Sequence, residues 1–298
     1  MSVLQRRRIR KVTATAAVTT LALYATTSSA SAVPQPDISR IWSGVYANPV
    51  SSTTPWQGVT ADFTVPKVTC RIRSDTLMIW VGLGGATGGG DALVQTGVEA
   101  SCASGKPVYH AFWELYDKRG LPETPIAGIT VRPKDEIRVN VFHYNDDTPY
   151  SMQGLVNRYD SAGRVTQQTW RQDISLPAKD KKPVAAECIV EAPLAPAKKL
   201  TLRPLAKYSP QVDMKCDAWN GTGDYYYGYY DLTTGHVTAV RGDLPDPAEV
   251  PVTRQTMLNR DNTGVRTAVS WSSGEPGAPY TDDDQDHLGT LHVKWVGY

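Results

Sequence analysis

Short β-type runs separated by turn residues dominate this chain. Ile137, Val139 and Val141 alternate with Arg138 and Asn140, which is the period-2 pattern of a half-buried strand. Similar runs occur at residues 59–65, 77–83, 108–116, 199–202, 225–232, 265–271 and 291–296, with Gly, Pro, Asn and Asp clustered between them. No segment shows a long apolar stripe of 3.6-residue period. The pattern therefore favours an all-β sandwich or barrel over an α/β fold.

One segment, residues 184–192, has a composition that a helix would also tolerate. Pro183 and Pro193 enclose it and leave too little length for a stable helix, so we predict a strand. On a strand, Glu187, Ile189 and Glu191 share one face. By the same rule Leu93, Gln95 and Gly97 share a face.

The N-terminus has the pattern of a secretory signal peptide. Four arginines and Lys11 precede an Ala/Val/Thr/Leu stretch, and Ala30-Ser31-Ala32 has the form of a cleavage site. The apolar run is too short and too interrupted by Thr to span a bilayer. We therefore predict a secreted, extracellular protein with a leader at residues 1–32 and one β-sandwich domain at 33–298. Within that domain, residues 219–253 are interpreted as a possible inserted hairpin.

The charge balance bears on the partners. The whole chain has a formal net charge of +1, and because the leader holds five cations and no acid, the remainder is at −4. A basic nucleic-acid surface is therefore not supported. We expect a monomer that contacts no membrane after the leader is removed.

The four cysteines are Cys70, Cys102, Cys188 and Cys216. An even number in an exported chain predicts two disulfides, for which three pairings exist. We favour Cys70–Cys102 and Cys188–Cys216, because each would join neighbouring elements. No Cys/His spacing indicates zinc, and the five histidines are scattered, so we predict no metal and no cofactor.

Two strand-like runs each place a chemically capable side chain among apolar residues: Gln95 within Leu93–Val98, and Glu191 at the end of Ala186–Glu191. A Gln amide can donate a hydrogen bond to a developing oxyanion, and a carboxylate can take and return a proton. Together they have the chemistry to hydrolyse an amide without serine, cysteine or metal.

The order of six motifs resembles the glutamic peptidases, or eqolisins, in a secreted form of bacterial type. The motifs are Ile41–Gly44, Phe63–Pro66, Trp80–Leu83, Val94–Val98, Tyr109–Tyr116 and Ala186–Glu191. The resemblance implies a β-sandwich of two antiparallel sheets, of the concanavalin-like or jelly-roll type, whose curved face forms the cleft.

Carried over residue by residue, the resemblance implies an endopeptidase acting on polypeptide substrates. Gln95 and Glu191 would be the catalytic dyad, Trp42 and Trp80 would line the substrate cleft, and Glu114 would be a polar partner near the dyad. Plain core packing remains open for Trp80, and a paired surface carboxylate for Glu114. A Glu of ordinary pKa predicts an acid optimum, unless burial raises that pKa.

The chain departs from the family pattern in two places. The family usually has an Asp in the turn after Trp-Val-Gly, where this chain has Gly84; Asp91 is a candidate to supply the carboxylate. Fungal members also have a long pro-segment, whereas few residues separate Val33 from Trp42. We therefore expect no activation by removal of a large propeptide.

A non-catalytic secreted sandwich that binds carbohydrate or peptide is the main alternative. The tyrosine-rich run at residues 225–230 offers rings that could stack on sugars. A peptidase fold that lost activity with the Asp-to-Gly change is a related possibility. Ser-hydrolase, zinc-protease and paired-Asp motifs are absent from the sequence.

Overall fold

The computed structural model describes residues 37–48, 56–85, 92–116, 123–144, 149–176, 185–195, 201–222, 225–233, 237–239, 252–257, 267–272 and 290–296. In chain order its strands are β1 (Asp37–Ser39), β2 (Trp42–Ala47), β3 (Trp56–Thr64), β4 (Lys67–Thr69), β5 (Thr76–Gly84), β6 (Leu93–Ala103), β7 (Lys106–Tyr116), β8 (Thr124–Pro125), β9 (Glu136–Phe142), β10 (Tyr150–Tyr159), β11 (Val165–Ile174), β12 (Ala186–Glu191), β13 (Leu194–Ala195), β14 (Thr201–Leu202), β15 (Lys207–Ser209), β16 (Val212–Thr222), β17 (Tyr225–Asp231), β18 (Val237–Ala239), β19 (Val252–Met257), β20 (Thr267–Ser272) and β21 (Thr290–Trp295). The predicted strands at 137–142 and 184–192 are confirmed as β9 and β12.

Two large sheets contain most of these strands. The first has the order β1-β19-β2-β12-β5-β6-β7-β8 and is antiparallel except for the β1–β19 pair. The second has the order β11-β10-β9-β3-β16-β17-β18, with β21 pairing to β16 and β20 to β21. Strands β5, β6 and β12 pack against β3, β9, β10 and β16. The arrangement confirms the predicted sandwich of two antiparallel sheets.

The core lies between the two sheets and follows the period-2 pattern of the sequence. On β12, Cys188 and Val190 enter the core, whereas Ile189 joins a separate apolar group on the opposite face of the sheet. That second group is small and contains Met78, Trp80, Leu93, Phe112 and Ile189, with Trp42 packed against it. The first sheet therefore has apolar side chains on both faces. The polar side chains on its outer face lie next to the second, smaller apolar group.

The predicted Cys70–Cys102 disulfide is present, with Cα atoms 5.6 Å apart. The predicted Cys188–Cys216 disulfide is wrong, because both residues are buried free thiols. Cys188 lies on β12 and Cys216 on β16, in facing sheets. Their thiol groups contact each other across the core without being bonded.

The segment interpreted as an inserted hairpin continues the second sheet. Strand β16 pairs with β3 on one side and with β17 on the other, and β18 follows β17 at the edge. Tyr230 of the tyrosine-rich run is buried and packs edge-on against Trp56, with ring centroids 5.2 Å apart. The side chains of residues 225–229, like the leader and Asp91, lie outside the described residues. Within the described residues, no helix is long and apolar enough to cross a membrane.

Candidate active site

The outer face of the first sheet presents three cross-strand rows of side chains, which the registers of β12, β5, β6 and β7 bring together. The rows are Glu187–Gly82–Gln95–Glu114, Ile189–Trp80–Gly97–Phe112 and Glu191–Met78–Glu99–His110. Polar rows thus lie on both sides of an apolar row. Several carboxyl groups therefore share one face with the buried rings of Trp80 and Phe112.

Glu191 ends β12 and points toward Trp80. The Trp80 indole Nε1 donates a hydrogen bond of 2.7 Å to Oε2 of Glu191. Trp42 pairs with Glu191 across the strands and stands edge-on to Trp80, with ring centroids 5.5 Å apart. Trp80 therefore holds the carboxyl group in place while fully buried, and Trp42 packs against Trp80.

Gly97 explains how Trp80 can lie so close to the neighbouring strand. A Cβ at Gly97 would stand 2.1 Å from the Ile79 carbonyl oxygen and 2.7 Å from Cα and Cβ of Trp80. No side chain fits there, so the Gln-Thr-Gly order of the motif has a steric cause. The glycine allows the indole to occupy the middle of the site.

Burial sets the protonation state of Glu191. Burial, and after it the Glu114 carboxylate, raises the pKa of Glu191, the N–H groups of Trp80 and Trp42 lower it, and the result is a pKa of about 8. The sequence predicted an acid optimum unless burial raises the pKa of this Glu, and burial does raise it. An acid optimum no longer follows from a Glu of ordinary pKa.

Gln95 is 3% exposed and lies opposite Glu114. Its Nε2 donates a hydrogen bond to Oε2 of Glu114. Burial raises the pKa of Glu114 to about 7, although its contact with Gln95 lowers that pKa. Because an amide has two N–H groups, the bond to Glu114 orients the amide and leaves the second N–H for a ligand.

The turn after β5 contains the departure from the family pattern. Gly84 and Gly85 have φ of 110° and 82°, a region that L side chains rarely adopt. A Cβ at Gly85 would stand 3.3 Å from Oε1 of Glu187, which is fully buried in the same row as Gln95. The Glu187 carboxyl group of β12 thus lies beside this turn. The sequence analysis had named Asp91 as the candidate to supply a carboxylate here.

A second group of polar side chains was missed by the sequence analysis. Glu99, His110 and Glu123 each place a ligand-type atom within 4.8 Å of the others. The face rule could have found Glu99, since it shares the Gln95 and Gly97 face of β6. The approach of His110 and Glu123 depends on strand pairing that no local pattern reveals.

The five residues predicted for the site all lie on one side of the first sheet. Gln95 and Glu114 are in contact, and so are Trp80 and Glu191. The two pairs are linked electrostatically, because Glu114 raises the pKa of Glu191. Trp80 belongs to the apolar group of this face and not to the core between the sheets.

Comparisons with known proteins agree with this fold. The model of the Peptidase A4 family matches residues 40–242. The structure of scytalido-glutamic peptidase with a transition state analog inhibitor is 20% identical, with a TM-score of 0.56 over 86% of this chain and 98% of that chain. SCP-B, an Eqolisin family member in complex with the tripeptide Ala-Ile-His, is 17% identical, with a TM-score of 0.54 over 86% and 98%. No curated protein sequence matches the chain.

The sandwich, the carboxyl groups on the outer face of its first sheet and the family match together define a peptidase of the glutamic type. The chain belongs to the Peptidase A4 family, also called the eqolisins, because the family model covers more than half of its length. It is therefore a hydrolase whose substrates are polypeptides.

Proposed function

We propose that the protein is a secreted endopeptidase in which Gln95 and Glu191 form the catalytic dyad. The observation that supports this most directly is the Glu191 carboxyl group, buried and held by the Trp80 N–H on the same face as the oriented Gln95 amide. The signal-like N-terminus supports export.

In the first step, ionised Glu191 takes a proton from a water molecule as that water attacks the scissile carbonyl carbon. The carbonyl oxygen becomes an oxyanion, and the free N–H of Gln95 donates a hydrogen bond to it. A preorganised donor of this kind is worth roughly 10²–10³ in rate. Glu114 fixes the amide orientation, so the donor does not need to turn during the reaction.

In the second step, protonated Glu191 gives its proton to the departing amine as the carbon–nitrogen bond breaks. The raised pKa suits this step, because a carboxyl group with a pKa of about 8 holds a proton readily near neutral pH. The same shift reduces the fraction of ionised Glu191 that can act as the base in the first step, since that fraction falls as pH drops below the pKa. The acid optimum expected from the sequence stays a prediction, and the pH dependence of cleavage tests it.

Carbohydrate binding through the tyrosine-rich strand gains no support from the described residues. Tyr230 is 1% exposed and occupies the core, so it offers no ring face to a sugar. We therefore advance no second function.

The test is hydrolysis of denatured casein by residues 33–298, followed from about pH 3 to pH 9 so that both protonation states of the dyad are sampled. Gln95→Ala and Glu191→Gln are expected to remove cleavage at every pH. Gln167→Ala and Glu136→Gln are matched controls, because both residues are exposed on the second sheet. Cleavage by either dyad variant at the wild-type rate would overturn the proposal. N-terminal sequencing of exported protein tests the leader, with Val33 expected as the first residue.

A further inference from the structure

The cluster of Glu99, His110 and Glu123 lies on the cleft face but takes no part in the proposed reaction. Glu99 and His110 are cross-strand partners on β6 and β7, and Glu123 directly precedes β8. Their ligand-type atoms all lie within 4.8 Å of one another. An imidazole nitrogen and two carboxylate oxygens converge there from three separate positions in the chain.

Glu99 is the buried centre of this cluster, with 2% exposure. Its Oε2 lies 3.1 Å from Nε2 of His110. Neither of these buried atoms has a hydrogen bond of acceptable geometry within the described part of the chain. The two atoms lie at ion-pair distance but without the geometry of a hydrogen bond, and both are of the kind that binds a metal ion.

The carboxyl group of Glu123 also contacts that of Glu99. Two carboxyl groups in contact repel when both are ionised, and a shared cation relieves that repulsion. Arg203 lies 3.7 Å from Oε1 of Glu99, and therefore on the oxygen that does not face His110. Oε2 of Glu99 thus faces His110 and not the arginine.

We propose that Glu99, His110 and Glu123 form a binding site for a divalent transition-metal ion, with Zn²⁺ the best fit. One imidazole and two carboxylates are a donor set that zinc accepts, at about 2.0–2.2 Å from each atom. Tetrahedral ligands at those lengths lie roughly 3.3–3.5 Å apart, so small rotations of Glu123 and His110 complete the site. Both are partly exposed, which gives the ion a path from solvent and a place for water as fourth ligand.

The ion would stand beside the substrate and not at the reacting atoms. Glu99 is separated from Glu191 by one strand, since Met78 lies between them in the row. Adjacent strands are about 4.8 Å apart, so the two backbones are roughly 10 Å apart. Zinc bound there is expected to inhibit peptide hydrolysis by occupying the cleft face, and binding does not depend on whether the Gln95/Glu191 dyad is active.

The test is calorimetric titration of the untagged, metal-stripped protein with Zn²⁺ near neutral pH, with Co²⁺ absorption spectra as a second readout of coordination. Wild type is expected to bind one ion per chain and to give a tetrahedral Co²⁺ spectrum. Glu99→Gln, His110→Ala and Glu123→Gln are each expected to weaken binding at least tenfold. His292→Ala is the matched control, because His292 also pairs with a carboxylate, Asp213, but on the second sheet.

Arg203→Met gives the proposal a variant that should gain affinity. Removing the cation beside Glu99 is expected to tighten Zn²⁺ binding severalfold, which a merely destabilised fold would not produce. Circular dichroism establishes that each variant is folded before titration. The proposal is overturned if wild type binds no Zn²⁺, or if folded His110→Ala binds Zn²⁺ as tightly as wild type.

Discussion

The Nε1 of Trp80 donates a 2.7 Å hydrogen bond to Oε2 of Glu191 within a buried part of the cleft. A donor to a carboxylate stabilises its charged form, so this bond opposes the rise in pKa that burial causes. In the proposed mechanism, Trp80 would therefore keep Glu191 available as a base. This relationship makes the pH dependence of the enzyme sensitive to residues that need not touch the scissile bond.

Trp80→Phe removes this N–H while keeping an aromatic ring. The ionised form of Glu191 loses a charge-assisted hydrogen bond, so its pKa rises above about 8. The acid-side limb of kcat/KM is expected to move up by about one pH unit. The measurement is a pH–rate profile of Trp80→Phe. Trp56→Phe is the control, because Trp56 lies on the second sheet and its buried indole donates to the Ala47 carbonyl oxygen. A limb that stays in place would contradict the assignment of Glu191 as the base.

Glu114→Gln is expected to move the same limb in the opposite direction. The Glu114 carboxylate raises the pKa of Glu191, so a neutral amide lowers it, and the limb shifts to lower pH. Because the pKa of Glu114 itself is about 7, wild type and variant should converge below that pH and separate above it. Profiles recorded with Glu136→Gln as the control decide this. A shift to higher pH would show that Glu114 acts on the dyad by another route.

Restoring the family Asp at position 84 is expected to destabilise the protein. Gly84 has φ of 110°, which an Asp side chain adopts only with strain, at about 1–3 kcal/mol. Gly84→Ala has the same strain without the carboxylate, so the two variants should lose similar unfolding free energy in urea. Higher activity in Gly84→Asp than in Gly84→Ala would show that the missing carboxylate does matter.

Much of the site could be predicted because it lies on strands of period 2. Gln95 and Glu191 each stand out in an apolar run, and the face rule correctly groups Glu187 with Glu191. The cluster of Glu99, His110 and Glu123 could not be predicted, since it depends on the pairing of β6 with β7 and on the path of the chain before β8. The protonation of Glu191 also lies beyond the sequence, because burial is a property of the folded cleft.

The cysteine pairing failed for a related reason. Cys188 and Cys216 lie in facing sheets with their thiol groups in contact, and no sequence pattern tells whether two such thiols are oxidised. Burial raises the pKa of both thiols, which disfavours the reactive thiolate. Thiol titration of the unreduced, denatured protein is expected to find two free thiols. Finding none would restore the second disulfide.

Asp217 is one of the buried acids that make stability depend on pH. It lies on β16, is fully buried, and neither carboxyl oxygen has a hydrogen-bond partner among the described residues. Burial raises its pKa to about 8, with a further contribution from Asp62. An acid whose folded-state pKa lies above its unfolded value stabilises the fold most at low pH. That stability is lost as pH rises from the unfolded pKa, about 3.9, toward the folded one.

Asp217→Asn removes the ionisation and keeps the shape of the side chain. We expect it to raise the free energy of unfolding near pH 8 by about 1–3 kcal/mol, and to change it little near pH 4, where the wild-type Asp is protonated in the fold. Urea unfolding at both pH values measures this. Asp213→Asn is the control, because Asp213 lies on the same strand but is exposed. An equal effect of Asp217→Asn at both pH values would mean that packing, and not the buried charge, determines its contribution.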